Sequence, residues 1–497
     1  MRSTRTRRRP GTVCLFTLAS LFWTGARANS DADIPEQLCA GEAGQLAIRK
    51  RLNDTAFAVC LKGAVWDVLS CPDGLAFNDT SEACQPRPGQ YYLPQPPFDL
   101  PPSPPAPPSI FLYAWSGNDR PGPSCRDAVV VVDATPDSAT FGSVVNVAFT
   151  PTWGNEPHHV GLGANNTVLA VGGIQAYLSG QPDVNFFNVT DAASPVWFAS
   201  ADPPLSAATD SFAGQADGGF WVSQMGDADG GSPGRMVRLG PAPGFAVVGE
   251  YPSAPPPDFN PHGFAIDATR QRMITADYLE LKSTLTDPGL DPRFRGNGTI
   301  IYRRSLRVWQ LPAFTLVGEF RTEEDESEGF MTVQLVGSSG VAASGNGKGV
   351  LWALNVSDPT EVKPAHVIGS RSSSCVFIPL AFSGGRRFFV TVLGLSVVQL
   401  VDTSDPWRWR TLQEISLPPG TYPHAATAAR NGTLVAVSAY YIDHEYNGSA
   451  IGLLRQKGSA TVFFFDVTNG GDSIQLSRRQ PAVDFKTAAP PTASART

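Results

Sequence analysis

From about residue 110 to 485 the chain is a succession of short apolar runs broken by Gly, Pro, Asn and Asp, with no convincing helical period anywhere. That pattern limits the fold more than any other feature. Runs at 129–132, 167–171, 220–223, 306–310, 388–393, 434–438 and 462–465 have the length and residue types of strands. A weak echo recurs at their ends: an Asp or Asn, a small or β-branched residue, then a turn. It is found at Asp133-Ala134-Thr135-Pro136, Asn188-Val189-Thr190-Asp191, Asn355-Val356-Ser357-Asp358-Pro359, Asp402-Thr403-Ser404-Asp405-Pro406 and Asp466-Val467-Thr468-Asn469. Strand-plus-turn units repeated over about 375 residues predict an all-β fold, a β-propeller with blades of ~40–50 residues. Seven or eight blades fit that length. Two β-sandwiches are the alternative, but nothing in 110–485 reads as a linker between them.

The front of the chain is different. Residues 1–28 read as an export signal: five arginines among the first nine residues, an apolar stretch at 13–23, then Ala26-Arg27-Ala28 as a cleavage site. No later segment approaches ~20 consecutive apolar residues, so no membrane span is predicted. Loss of the signal removes six arginines and no acids, which takes the formal charge from −7 to −13. An acidic chain without basic stripes argues against nucleic acid as a partner. Eight Asn-x-Ser/Thr sequons start at Asn53, Asn78, Asn165, Asn188, Asn297, Asn355, Asn431 and Asn447. Chance would supply about two, so the set predicts a secreted, extracellular glycoprotein with these asparagines at the surface.

Six cysteines remain after the signal, an even number that in an exported chain predicts disulfides. Cys39, Cys60, Cys71 and Cys84 crowd into one short module at 29–88, and three pairings are open to them. Cys125 and Cys375 lie far apart; a disulfide between them and two free thiols are both open readings. Between the module and the strand-rich body, 89–109 is proline-rich and predicts a polyproline II spacer. The tail at 486–497, rich in Ala, Pro, Ser and Thr, is expected to be disordered.

Two resemblances refine this division. Phe57-Ala58-Val59-Cys60, Gly63, Trp66, Cys71-Pro72-Asp73-Gly74-Leu75, Phe77-Asn78 and Cys84 resemble the peritrophin-type (type 2) chitin-binding domain. The resemblance implies Cys39–Cys60 and Cys71–Cys84 pairs, and chitin or another N-acetylglucosamine polysaccharide as partner. Flat aromatic rings stack on the apolar faces of such sugars, which makes Trp66 the first candidate platform, followed by Phe57 and Phe77. The alternative is that Phe57 and Phe77 form the small core of the module.

The body in turn resembles the selenium-binding protein family. The residues that carry this are Glu156-Pro157-His158-His159-Val160-Gly161, Met225-Gly226-Asp227, Ser232-Pro233-Gly234-Arg235, Phe259-Asn260-Pro261-His262-Gly263, Arg307-Val308-Trp309, the Asp402–Pro406 turn, and the stretch from Pro423-His424 to Val462. The resemblance implies a seven-bladed propeller. It also implies a relationship to methanethiol oxidases, copper-dependent enzymes that convert methanethiol, oxygen and water to formaldehyde, sulfide and peroxide.

Imidazole nitrogens suit copper, and the chain has six histidines: 158, 159, 262, 366, 424 and 444. His158, His159, His262 and His424 match family positions and are the candidate copper ligands. Other family positions lack histidine: a His-x-x-His stretch falls near 210–213, a later histidine falls at Leu395, and a family cysteine falls at Gly142. Adjacent strand residues point to opposite faces, so His158 and His159 are expected to converge only if they lie in a loop. Asp227, Asp229 and Gly230 read as a hairpin turn rather than a calcium loop. The leading expectation is therefore a chitin-anchored propeller that acts as a binding or scaffold unit with an eroded site. The alternative is a matrix-anchored methanethiol oxidase. Imidazoles gathered on the propeller axis would favour the enzyme; an apolar axis would favour the scaffold.

Overall fold

The computed structural model describes residues 48–51, 56–61, 64–70, 75–78, 83–86, 110–117, 126–323, 328–336, 340–345, 349–358, 361–367, 377–382, 386–405, 407–429, 432–439 and 460–485. The expected signal, spacer and tail, together with Cys39, Cys71, Cys125, Cys375, Asn53, Asn431, Asn447 and His444, lie outside these residues. The described strands belong to two compact units, one within Ala19–Pro107 and one within Pro108–Thr492.

In the first unit, Ile48–Arg51, Ala56–Leu61 and Ala64–Ser70 form an antiparallel sheet, and Leu75–Asn78 pairs with Ala83–Pro86. Phe57, Cys60, Trp66, Phe77, Asn78 and Cys84 all fall on these strands. Trp66 is the extra residue of a bulge, because Val59 pairs with Asp67 and Cys60 with Val65.

The second unit is a β-propeller. Six antiparallel sheets follow one another along the chain, five of four strands and a sixth in which a fifth short strand, Ala482–Asp484, pairs with Thr461–Thr468. Their first strands are Pro157–Leu162, Ser206–Gly214, Pro261–Asp267, Phe330–Val336, Phe377–Phe382 and Pro423–Ala428, in blades one to six. These first strands lie against one another around the axis. The fourth strands, such as Thr315–Arg321 and Arg410–Ser416, form the rim, where exposed and half-buried residues alternate. The expectation of seven blades is corrected to six. A three-stranded sheet (Phe111–Ser116, Ala128–Asp133, Val144–Phe149) sits between blade six and blade one. Chain length could not reveal this, because the sheets differ in strand number and the loops within blades differ in length.

Neighbouring sheets pack face to face through apolar clusters, one at each junction, and Val132 and Val144 against Phe464 and Val483 close the ring. Between blades one and two, Phe186 stacks on Phe245 with centroids 3.7 Å apart. Each such fully buried side chain stabilises the fold by roughly 1.5–3 kcal/mol. The Asp/Asn echo in the sequence is a repeated Asx turn. Asp133, Asn188, Asn355 and Asp402, each the last residue of its strand, accept through Oδ1 the backbone N–H two residues on.

A candidate metal centre on the propeller axis

One irregularity recurs in the first strands. In blade one, Val160 pairs with Val171 but Pro157 with Gly173, so three steps along the inner strand face two on its neighbour. The same shift occurs at 209–212, 261–264, 330–333 and 423–426 in blades two, three, four and six. Blade five pairs without one. A bulge of this kind breaks the alternation of side chains and re-aims them. Its extra residues are His158 and His159, Asp210 and Ser211, His262 and Gly263, Met331 and Thr332, and His424 and Ala425.

The bulges bring four histidines together. The His158 ring centroid lies 4.5 Å from that of His159, 5.7 Å from His262 and 5.4 Å from His424. His159 lies 5.8 Å from His262 and 5.9 Å from His424. The expectation that His158 and His159 could converge only in a loop is therefore corrected. They lie in a strand, Pro157–Leu162, and the bulge lets both face the axis.

Sequence reasoning passed over Asp210, which lies among them fully buried. Its carboxylate is 2.6 Å from His262 Nδ1, 3.3 Å from His159 Nε2 and 3.8 Å from His158 Nε2. One donor atom from each of His158, His159, Asp210 and His262 falls within a 4.8 Å cluster. His424 borders it through the ring contacts above. Leu395 is exposed and lies outside this centre.

The surrounding residues hold these side chains in place. Ser223 Oγ donates to the His262 carbonyl at 2.6 Å and Thr391 Oγ1 to the His424 carbonyl at 2.5 Å. Ahead of His262, the Asn260 amide donates to Asp277, and the Asn260 side chain donates to Met225 O while accepting from Arg303 and Ser232. Gly263 leaves room for the next blade, since a Cβ there would come within 2.6 Å of Thr332 Cα. On one flank the Tyr278 ring stands edge-on to His262 at 5.3 Å and packs with Met331, Leu393 and Tyr422.

Burial chiefly pushes His159 below its ordinary pKa, with Asp210 opposing and His262 adding to the effect. Burial, and then His158, His159 and His262, push His424 well below its ordinary value. For Asp210, burial works against ionisation, but the His262, His159 and His158 imidazoles outweigh it and hold the carboxyl below the usual range.

Burial favours the unprotonated ring at His159 and His424, which is the form of imidazole that binds a metal ion. The fit is also geometric. Both Asp210 oxygens, His159 Nε2 and His262 Nδ1 are buried without an in-line hydrogen bond. Asp210 Oδ2 meets His262 Nδ1 at 2.6 Å, the tightest of its imidazole contacts. The 3.3 and 3.8 Å separations are near the ~3.3 Å donor spacing of a tetrahedral site with ~2.0 Å bonds, and the His262 contact is tighter. Nitrogen and oxygen donors of this kind suit copper, zinc or iron.

Of the other sequence-selected residues, Asn165, Asn188 and Asn297 are exposed and Asn355 is half-buried. Asp227 Oδ1 accepts the N–H groups of Asp229 and Gly231, which makes that motif a closed turn.

The sequence matches no known family model and no curated protein. Solved structures do resemble the fold. A hypothetical selenium-binding protein from Sulfolobus tokodaii aligns with TM-score 0.56 and 15% identity, over 76% of this chain and 92% of that one. The periplasmic gluconolactonase PpgL of Pseudomonas aeruginosa aligns with TM-score 0.52 and 12% identity, over 76% of this chain and 96% of that one. At these identities the likeness establishes the propeller and nothing finer.

Proposed function

We propose that the propeller is a metal-dependent oxidoreductase whose centre is held by His158, His159, His262 and His424 with Asp210. The observation that carries this reading is the convergence of four of the six histidines and a buried carboxylate on one point of the axis. An apolar axis, the mark of the scaffold reading, is not what surrounds that point. The resemblance in the sequence supports copper as the ion and methanethiol as the substrate.

Bound copper would supply one-electron chemistry toward oxygen and a thiol. The protein's part is positioning. The bulges fix the imidazoles, and the Ser223 and Thr391 hydroxyls hold the carbonyls of two of them. Asp210 offsets part of the charge of a cation. His159 keeps 20% side-chain exposure against 6% for His158 and 3% for His262, while its Nε2 is buried with the other donors. Tyr278, Met331 and Leu393 supply an apolar flank that limits water.

The test is to incubate copper-loaded protein with methanethiol and oxygen and to follow sulfide and formaldehyde. Turnover that disappears in His262→Ala supports the reading; loaded protein that makes neither product overturns the substrate assignment.

The N-terminal module, on its resemblance, anchors this propeller outside the cell to chitin or a related polysaccharide. Retention of the full chain on chitin beads, reduced by Trp66→Ala, supports that role. No retention after deglycosylation would remove it.

A further inference from the structure

Asp210 is unlike the other donors on the axis, and the role assigned to it here rests on the reading of that axis as a metal centre. An imidazole nitrogen is a neutral donor of intermediate softness. A carboxylate is a hard donor with a full charge, and its attraction for an ion doubles when the ion's charge rises from one to two. Asp210 is fully buried, and its ion-pair partners are all imidazoles: His262, His159 and His158. All three lie within 4 Å of the carboxylate, at the same point of the axis. Asp210 Oδ1 lies 3.3 Å from His159 Nε2 and 3.8 Å from His158 Nε2 without a hydrogen bond, so that oxygen is available to an ion. The bulge in Ser206–Gly214 delivers Asp210 just as its counterparts deliver His158, His262 and His424.

We propose that Asp210 is itself a metal ligand and that it makes this centre select divalent ions, Zn2+ and Cu2+, over Cu+. An all-imidazole set would lack that bias. The consequence for copper is a centre that holds the oxidised ion more tightly than the reduced one and so lowers its reduction potential.

Metal affinity tests this without recourse to activity. Full-length protein stripped with a chelator is titrated with Zn2+ and Cu2+, and anaerobically with Cu+ against a colorimetric competitor. Asp210→Asn should weaken Zn2+ and Cu2+ by about tenfold or more while changing Cu+ by less than about threefold. A tenfold change in the Cu2+/Cu+ ratio corresponds to about 59 mV and a threefold change to about 28 mV, so the potential should rise by at least about 30 mV. Asp210→His should bind all three ions and shift preference toward Cu+. Equal losses for the three ions in Asp210→Asn, or no loss, overturn the proposal. If thermal unfolding shows that Asp210→Asn does not fold, Asp210→His decides, and an unchanged divalent-to-cuprous ratio overturns it. A wild-type chain that binds none of the ions overturns the metal reading itself, a failure visible before any variant is made.

Discussion

At the scale of single residues, two buried charge clusters stand out, an arginine network away from the axis and the carboxylate and imidazoles on it. Arg307, 1% exposed, binds Asp277 through Nη1 and reaches Asp258 at 2.7 Å and Glu319 at 3.1 Å through Nη2. Asp277 also accepts the Asn260 amide, which ties this network to the turn that presents His262. Removing one partner of a buried pair leaves the other charge uncompensated, so Arg307→Ala should cost about 3–5 kcal/mol of stability. Urea denaturation checks this, and a loss below about 1 kcal/mol would show that the network is dispensable. On the axis, by contrast, Asp210, His159 and His262 keep donor atoms without in-line partners. Buried polar atoms without partners also occur off the axis, at Asp183 and Gln224 among others; what sets the axis apart is that donors of metal-binding type converge there.

At the scale of elements, the recurring bulge and the recurring Asx turn do separate work. The bulge aims the axial side chains, and hydroxyls from neighbouring strands hold the displaced backbone. Ser223→Ala removes the donor to the His262 carbonyl, with an expected loss of about 1 kcal/mol and weaker metal binding. Unchanged stability and metal affinity in that variant would mean that the bulge holds itself. The Asx turn at Asp402 carries a pH signature. Its carboxyl is held down at about 2, first by Ser404 and then by Arg410 and Arg387, against the effect of burial. Because the folded pKa is depressed, this contribution is present above the unfolded value near ~3.9 and is lost as pH falls toward 2. Asp402→Asn should therefore be less stable than wild type near neutral pH. The gap should close as pH falls from about 4 to about 2 in denaturation curves. A gap that did not change with pH would assign the effect to packing.

The same elements mark how far the sequence could be read. The short apolar runs placed the strands well: 434–438 is found within Leu434–Ala439, and 306–310 within Ser305–Gln310. Asp402 and Asn355 announced their turns because Asx chemistry is local. The bulges were illegible, since a register shift is a property of two strands and shows in neither alone. The alternation rule therefore failed at His158 and His159. Asp210 had a fainter signal: it lies 52 residues after His158 and 52 before His262, one blade step each way. A search for histidine alone could not use that spacing. Pro157, Pro261 and Pro423, each immediately before an axial histidine, were a second cue, marking where three inner strands begin.

For the whole molecule, the closed ring explains why residues far apart in the chain can make one site. Every sheet packs on two neighbours, so the first strands are fixed around the axis by the apolar clusters at each junction. The central claim is that this axis holds a metal ion. The most direct measurement is the metal content of the purified chain after dialysis against a weak chelator, with and without reconstitution. The account predicts about one transition-metal ion per chain, lost when His158 and His159 are both replaced by alanine in a protein that still folds. A folded wild-type chain that retains no metal, even after reconstitution with copper or zinc, would contradict it.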